Sequence, residues 1–93
     1  MGDVSSSAGE YTKRHREAWP LLLRSPDAET LQPGDAESWQ RLWGRFGVEL
    51  FQCFANGDEH IRADMILLAR QSGGWRGEII ADRLEKWLRQ RSV

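Results

Sequence analysis

The sequence predicts a small all-α protein, a single domain over residues 10–93 built as a bundle of about four helices. Large apolar residues recur at steps of three and four in several segments, which is the period of a helix and not of a strand. No stretch alternates apolar and polar residues as a half-buried strand would. A chain of 93 residues can build one modest core, and its five tryptophans can fill that core with few side chains.

The central helix shows the strongest of these patterns, and we predict it over residues 36–55. Asp35 precedes it as a suitable N-cap. Seven apolar side chains fall within about a third of the helix circumference, which predicts a buried stripe. The stripe consists of Trp39, Leu42, Trp43, Phe46, Leu50, Cys53 and Phe54. Gly44 and Gly47 each cost this helix about 1 kcal/mol against alanine, and their position is explained equally well by the close approach of another helix backbone or by simple tolerance of the two glycines.

The chain before the central helix is less regular. Residues 1–9 are small, polar and without period, which predicts a disordered tail. A first helix over residues 10–24 contains Pro20, which has no N–H to donate to the carbonyl four residues earlier, so we expect this helix to be kinked or broken there. Residues 25–35 form a connection rich in turn-forming residues, with Leu31 attaching it to the core.

Two further helices complete the predicted bundle. Asp58 is a suitable N-cap for a third helix over residues 59–71. A glycine-containing turn at residues 72–74 separates it from a fourth helix over residues 75–90. Residues 65–69 are apolar nearly all round, so we expect the third helix to be covered on more than one side. It is therefore either the middle helix of the bundle or part of a subunit interface.

Composition excludes several classes of function. The net charge of −1 creates no global field that would attract nucleic acid or an acidic membrane. No stretch approaches the ~20 apolar residues of a membrane span, so we expect no membrane partner. A single cysteine, Cys53, excludes an intrachain disulfide and a multi-cysteine metal site. A reducing cytoplasm is the simplest compartment for such a chain.

No group of residues predicts catalysis. His60 lies one turn before Asp64, but two ligands do not make a metal site, and a solvated first helical turn explains both residues. His15 is interpreted as a partly buried, hydrogen-bonded histidine on the apolar side of the first helix. Cys53 falls inside the central stripe and is interpreted as a small buried hydrophobe. We therefore expect no catalytic, metal or cofactor-binding residues, and no cofactor.

The surplus of large apolar side chains predicts a protein–protein interaction. Several of them lie off the buried stripes, and a chain of this size cannot easily bury them all, while exposed apolar patches mark interaction sites. The predicted contact residues are Phe51, Ile66, Leu67, Trp75 and Ile79, bordered by Arg62, Arg70 and Arg76. We expect a non-enzymatic adaptor, regulator or inhibitor whose partner is another protein or a second copy of the chain, as in a homodimer.

DNA binding by the last two helices is the alternative hypothesis. Ala69, Gly73 four residues later and Ile79 six residues further on resemble the spacing of a helix-turn-helix unit. The recognition helix would then begin near Trp75 and present basic side chains to the phosphates. These side chains are Arg76, Arg83 and Lys86. Asp82 counts against this hypothesis, because it stands where the pattern requires an apolar residue and would face an anionic groove.

Overall fold

Four α-helices and one short 3₁₀ helix make up residues 11–91, the part of the chain that the computed structural model describes. The α-helices are α1 (Lys13–Leu23), α2 (Ala36–Asn56), α3 (Glu59–Ser72) and α4 (Gly74–Arg91), and the 3₁₀ helix (Pro26–Thr30) lies between α1 and α2. This part of the chain contains no strand, so the predicted all-α bundle is confirmed. The predicted tail at residues 1–9 lies outside the described residues. No helix among residues 11–91 has the length and apolar character needed to cross a membrane.

Side chains next to the helix starts explain where α2 and α3 begin. Asp35 accepts a hydrogen bond from the backbone N–H two residues later, and Asp58 accepts one from the N–H three residues later. These bonds satisfy backbone donors that have no partner inside the helix. Both N-caps are those predicted, because capping depends only on residues that are neighbours in the chain.

Pro20 neither ends nor interrupts α1, which continues through it to Leu23. Of the two alternatives expected from the sequence, the break does not occur. Trp19 and Leu23 lie on either side of the proline and are completely buried. Their burial outweighs the single helical hydrogen bond that proline cannot donate. Leu21 points away from the core and is 66% exposed.

The interruption of helical geometry occurs instead in α2. Gly44 has φ 65° and ψ −147°, a conformation essentially restricted to glycine, and α2 bends there into two halves. Just after the bend, Gly47 lies against the backbone carbonyl of Trp39 in the first half. The close backbone approach that we expected from another helix is therefore made within α2 itself, because the bend folds its two halves toward each other.

The helix α3 is the middle element of the bundle, since it packs against α1, α2 and α4. Met65 and Ala69 are completely buried in these contacts. A close contact between α3 and α4 lies at Ala69 and Gly77, where a Cβ atom on Gly77 would overlap the carbonyl group of Ala69. Glycine at this position allows the two helices to approach closely.

An aromatic cluster joins α1, α2 and α4. Trp19 of α1 stacks on Trp39 of α2 with ring centres 5.6 Å apart, and Trp43 packs edge-on against both rings. Phe51 packs edge-on against Trp39 at 5.7 Å, and Trp87 of α4 extends the cluster at 6.2 Å from Phe51. Pairs of this kind contribute about 0.5–1.5 kcal/mol each beyond their burial. The high tryptophan content thus serves mainly the core.

Candidate functional site

A groove of about 490 Å³ runs along the seam between α3 and α4 on the surface of the bundle. Its lining comes from one face of each helix, with residues spaced three and four apart. We call it the α3–α4 groove, and it is lined by Glu59, Arg62, Ala63, Ile66, Leu67 and Arg70 of α3 and by Glu85, Leu88 and Arg89 of α4. Four of the residues predicted for the partner surface are among them, namely Arg62, Ile66, Leu67 and Arg70.

The apolar part of the groove combines buried support with an exposed side chain. Ile66 and Leu88 are partly buried and pack against the core. Leu67 stands above them and is 49% exposed. Ala63, one turn before Leu67, is small and exposed, so it leaves the surface of α3 accessible at this point. The groove therefore offers an apolar strip that residues 11–91 leave accessible.

The charged side chains of the groove are unevenly distributed along it. At one end, the guanidinium of Arg70 bonds to the carboxylates of Glu85 at 2.5 Å and Asp82 at 3.3 Å. One arginine shared by two carboxylates leaves this end with an excess of negative charge. At the other end, Arg62 donates to the carbonyl of Gly57, and Arg89 has no ion-pair partner among residues 11–91. This second end carries an excess of positive charge, since Glu59 is its single acid.

The remaining residues of the predicted partner surface lie elsewhere. Phe51 is held in the aromatic cluster between Trp39 and Trp87, and it does not line the groove. Trp75 and Ile79 are 58% and 38% exposed, but they lie on the outer face of α4, outside the groove. The structure therefore divides the predicted surface into the groove, Phe51 partly buried against the core, the exposed pair Trp75 and Ile79, and Arg76, which pairs with Glu29 instead of bordering the groove.

The basic residues of the DNA-binding hypothesis contact the segment that precedes α2. The Nε of Arg76 bonds to the carboxylate of Glu29 at 2.8 Å. Arg83 donates to the backbone carbonyls of Glu29 and Leu31 at 2.8 and 3.3 Å. Lys86 is exposed beside the same segment. Both arginines therefore hold the 3₁₀ helix and its following residue against α4.

The turn between α3 and α4 is shorter than in a typical helix-turn-helix unit. Gly73 is the single residue between the two helices, whereas such turns usually have about three or four residues. Gly74, the first residue of α4, has φ 67°, which lets the chain reverse direction within this short distance. The two helices thus form a tight hairpin, which is what creates the α3–α4 groove.

The imidazole of His15 has structural partners on both sides of the ring. Its Nδ1 accepts the backbone N–H of Thr12, while the Thr12 hydroxyl oxygen accepts the backbone N–H of His15, so the two residues close the first turn of α1. The opposite nitrogen, Nε2, lies 3.2 Å from the carboxylate of Glu49. His15 is 7% exposed and Cys53 is completely buried. The burial of Cys53 matches its interpretation as a small buried hydrophobe, and His15 is hydrogen-bonded as expected but more deeply buried than the partial burial expected for it.

Tyr11 connects the start of α1 to α3. Its hydroxyl group donates a 2.7 Å hydrogen bond to the carboxylate of Asp64, which also pairs with Arg16 at 3.0 Å. Burial, followed by the hydrogen bond to Asp64, raises the pKa of Tyr11 above its ordinary value. No group of three or more metal-ligating side chains occurs within residues 11–91. Sequence reasoning missed Glu49 and Asp64 as partners, because nothing local links residues so far apart in the chain.

Comparison with protein-family models, curated proteins and solved structures found no match for this chain. Its function must therefore be inferred from the chemistry of the α3–α4 groove.

Proposed function

We propose that this protein is a non-enzymatic interaction module that binds a protein partner through the α3–α4 groove. The observation that carries the proposal is the half-exposed Leu67 above Ile66 and Leu88, within a groove bordered by charged side chains. An apolar centre with a polar border is the usual anatomy of a protein interface. A groove between two helices suits an amphipathic helix of the partner, whose apolar face would cover the leucine. The module would act as an adaptor, regulator or inhibitor.

The environment of the reactive side chains supports a binding role over a catalytic one. A catalytic thiol requires exposure and positive surroundings, whereas Cys53 is buried in the core. The imidazole of His15 is almost covered and is engaged by Thr12 and Glu49. Because the chain has a single cysteine, the cytoplasm stays our prediction for the compartment.

The positions of the charged residues on α4 support the DNA-binding alternative less well than they support a protein partner. The guanidinium groups of Arg76 and Arg83 donate hydrogen bonds to the segment around the 3₁₀ helix, so these donors are already engaged. Glu78 and Asp82 are exposed on the same helix and would face the phosphates of a duplex. Affinity for DNA depends mainly on lysines and arginines that are free to neutralise phosphates. We therefore favour a protein partner for this module.

Site-specific photo-crosslinking tests the proposal even though the partner is not identified. The variant Leu67→p-benzoylphenylalanine places the crosslinker in the groove, and Leu21→p-benzoylphenylalanine places it on an exposed leucine of α1 as a matched control. Each variant would be expressed and irradiated in cells of the source organism, and its crosslinked adducts would be identified by mass spectrometry. We expect defined protein adducts from position 67 that position 21 does not form. The same adducts from both positions, or none from position 67, would refute the proposal.

A gel-shift experiment addresses the alternative. If the protein retards a random DNA duplex at low salt and Lys86→Glu abolishes this shift, α4 binds nucleic acid and the groove is not the main site. The expected result is no retardation.

A further inference from the structure

The α3–α4 groove has opposite charge at its two ends. Asp82 and Glu85 share Arg70 at one end, which leaves one carboxylate charge uncompensated. Arg89, at the other end, has no ion-pair partner in the described part of the chain. A uniformly acidic or basic partner would be attracted at one end and repelled at the other. The groove therefore selects a partner surface with the reverse order of charges.

We infer that this partner is a second copy of the chain, an inference that rests on the proposed function of the groove. A twofold axis that crosses the groove near Ala63 and Ile66 would lay α3 antiparallel to α3 of the second copy and α4 antiparallel to its α4. Such an isologous contact brings each end of the groove against the opposite end in the other copy. The reverse order of charges is then supplied by the chain itself.

Residues placed symmetrically about this axis are complementary. On α4, Arg89 of each copy faces Glu85 of the other, because both lie two positions from residue 87 in opposite directions along the helix. On α3, Glu59 faces Arg70 of the second copy in the same way. In this contact the guanidinium of Arg89 pairs with a carboxylate of the other copy. The carboxylates of Asp82 and Glu85, which share Arg70 within one copy, gain Arg89 of the other copy as a second cation.

The apolar strip supplies the attraction in this contact. The half-exposed Leu67 of each copy would be covered beside Ala63 of the other, where the small side chain allows α3 to approach α3. The charged pairs at the border fix the antiparallel orientation and weaken as salt is raised, because exposed ion pairs are screened. The dimer is therefore expected to be specific in register and sensitive to ionic strength.

Charge-reversal variants of the full-length protein test both the dimer and its register. Sedimentation velocity over a wide range of concentration should show wild-type protein at twice the chain mass of 10.7 kDa. Arg89→Glu and Glu85→Arg each place like charges opposite each other in a homodimer, and each should raise the dimer Kd roughly tenfold or more. An equimolar mixture of the two variants should dimerise again, because every facing pair in the heterodimer has opposite charges.

Lys86→Glu is the matched control, because Lys86 is exposed on α4 but does not line the groove. It should dimerise as the wild type does. A wild-type protein that stays monomeric at every concentration overturns the inference, and so does a mixture of variants that stays monomeric. If Glu85→Arg fails to fold because it repels Arg70, Arg89→Glu decides alone: loss of the dimer supports the inference, and an unchanged dimer overturns it.

The two experiments separate this inference from the proposed function. If the wild type is monomeric while position 67 still crosslinks to a different protein, the groove is an interaction site and its occupant is not a second copy. If the wild type is monomeric and position 67 forms no adduct, both the inference and the proposed function are wrong.

Discussion

The close contact between α3 and α4 at Gly77 can be tested by replacing this glycine with alanine. A Cβ atom on Gly77 would overlap the backbone carbonyl of Ala69, which is completely buried. The same carbonyl accepts the N–H of Gly73 that closes the end of α3. A methyl group here can be accommodated only if the two helices move apart, since a backbone group cannot rotate away as a flexible side chain could.

The magnitude follows from two opposing contributions. Alanine is favoured over glycine inside a helix by about 1 kcal/mol, which would stabilise the variant. Overpacking of a well-packed contact costs about 1–3 kcal/mol, and we expect the upper end because the obstacle is backbone. Weakening of the hydrogen bond from Gly73 adds about 1 kcal/mol. Gly77→Ala should therefore destabilise the protein by about 3 kcal/mol, and lower the Tm of a domain this size by roughly 12–24 °C.

Urea unfolding followed by tryptophan fluorescence and far-ultraviolet circular dichroism measures this change. The protein concentration must be low enough to keep the chain monomeric, because dimerisation would add to the apparent stability. Glu78→Ala and Glu78→Gly provide the control, since Glu78 is the exposed neighbour of Gly77 in α4. The glycine control should be about 1 kcal/mol less stable than the alanine control. If Gly77→Ala is as stable as the wild type or more stable, the close approach of α3 and α4 is not what glycine provides.

Two further predictions concern the bend in α2 and the hydroxyl group of Tyr11. Gly44→Ala should lower the free energy of unfolding by about 1–3 kcal/mol, because the backbone conformation at φ 65° and ψ −147° is unfavourable for any residue with a side chain. Steric overlap does not contribute, since the added Cβ would meet no atom within 4 Å. An unchanged Tm would show that α2 does not need this bend. Tyr11 is the single tyrosine, so the ultraviolet absorbance of tyrosinate reports its ionisation alone. Because its pKa is raised by burial and by Asp64, its contribution to stability is complete below the unfolded pKa of about 10 and is lost as the pH rises through the higher folded value. Asp64→Asn should move the ionisation of the native protein back toward pH 10, and a wild-type protein that already ionises there would contradict the Asp64 hydrogen bond.

The elements with local signals were predictable from the sequence. The central helix was predicted over residues 36–55 and is observed as Ala36–Asn56. Both ends were predictable because Asp35 caps the first turn and Gly57 follows the last turn, so each signal lies next to the helix end that it determines. The position of Leu31 in the core was also predicted, since it is the single large apolar residue of its segment. Such signals do not depend on the rest of the chain.

The 3₁₀ helix could not be predicted from local signals in the sequence. Its segment was predicted as a connection, because Pro26 and the Pro33–Gly34 pair are typical of turns. In the folded protein, Arg76 and Arg83 of α4 bond to Glu29 and hold this segment in place. The alternative DNA-binding hypothesis assigned both arginines to phosphates, and the leading hypothesis placed Arg76 at the border of the partner surface, since their intramolecular partner lies about fifty residues earlier in the chain. No periodicity can reveal a contact over that distance.

By itself, the sequence determined that the protein is an all-α bundle and where α2 and α3 begin, because helical period and capping are properties of chain neighbours. Only the tertiary structure decided which apolar residues outside the main stripes are buried. Phe51 is partly buried against the core because α2 carries it between Trp39 and Trp87. Leu67 stays half exposed because its face of α3 borders the groove formed with α4. These outcomes depend on how closely helices pack and how they are rotated against one another, which is set by distant contacts such as that between Ala69 and Gly77.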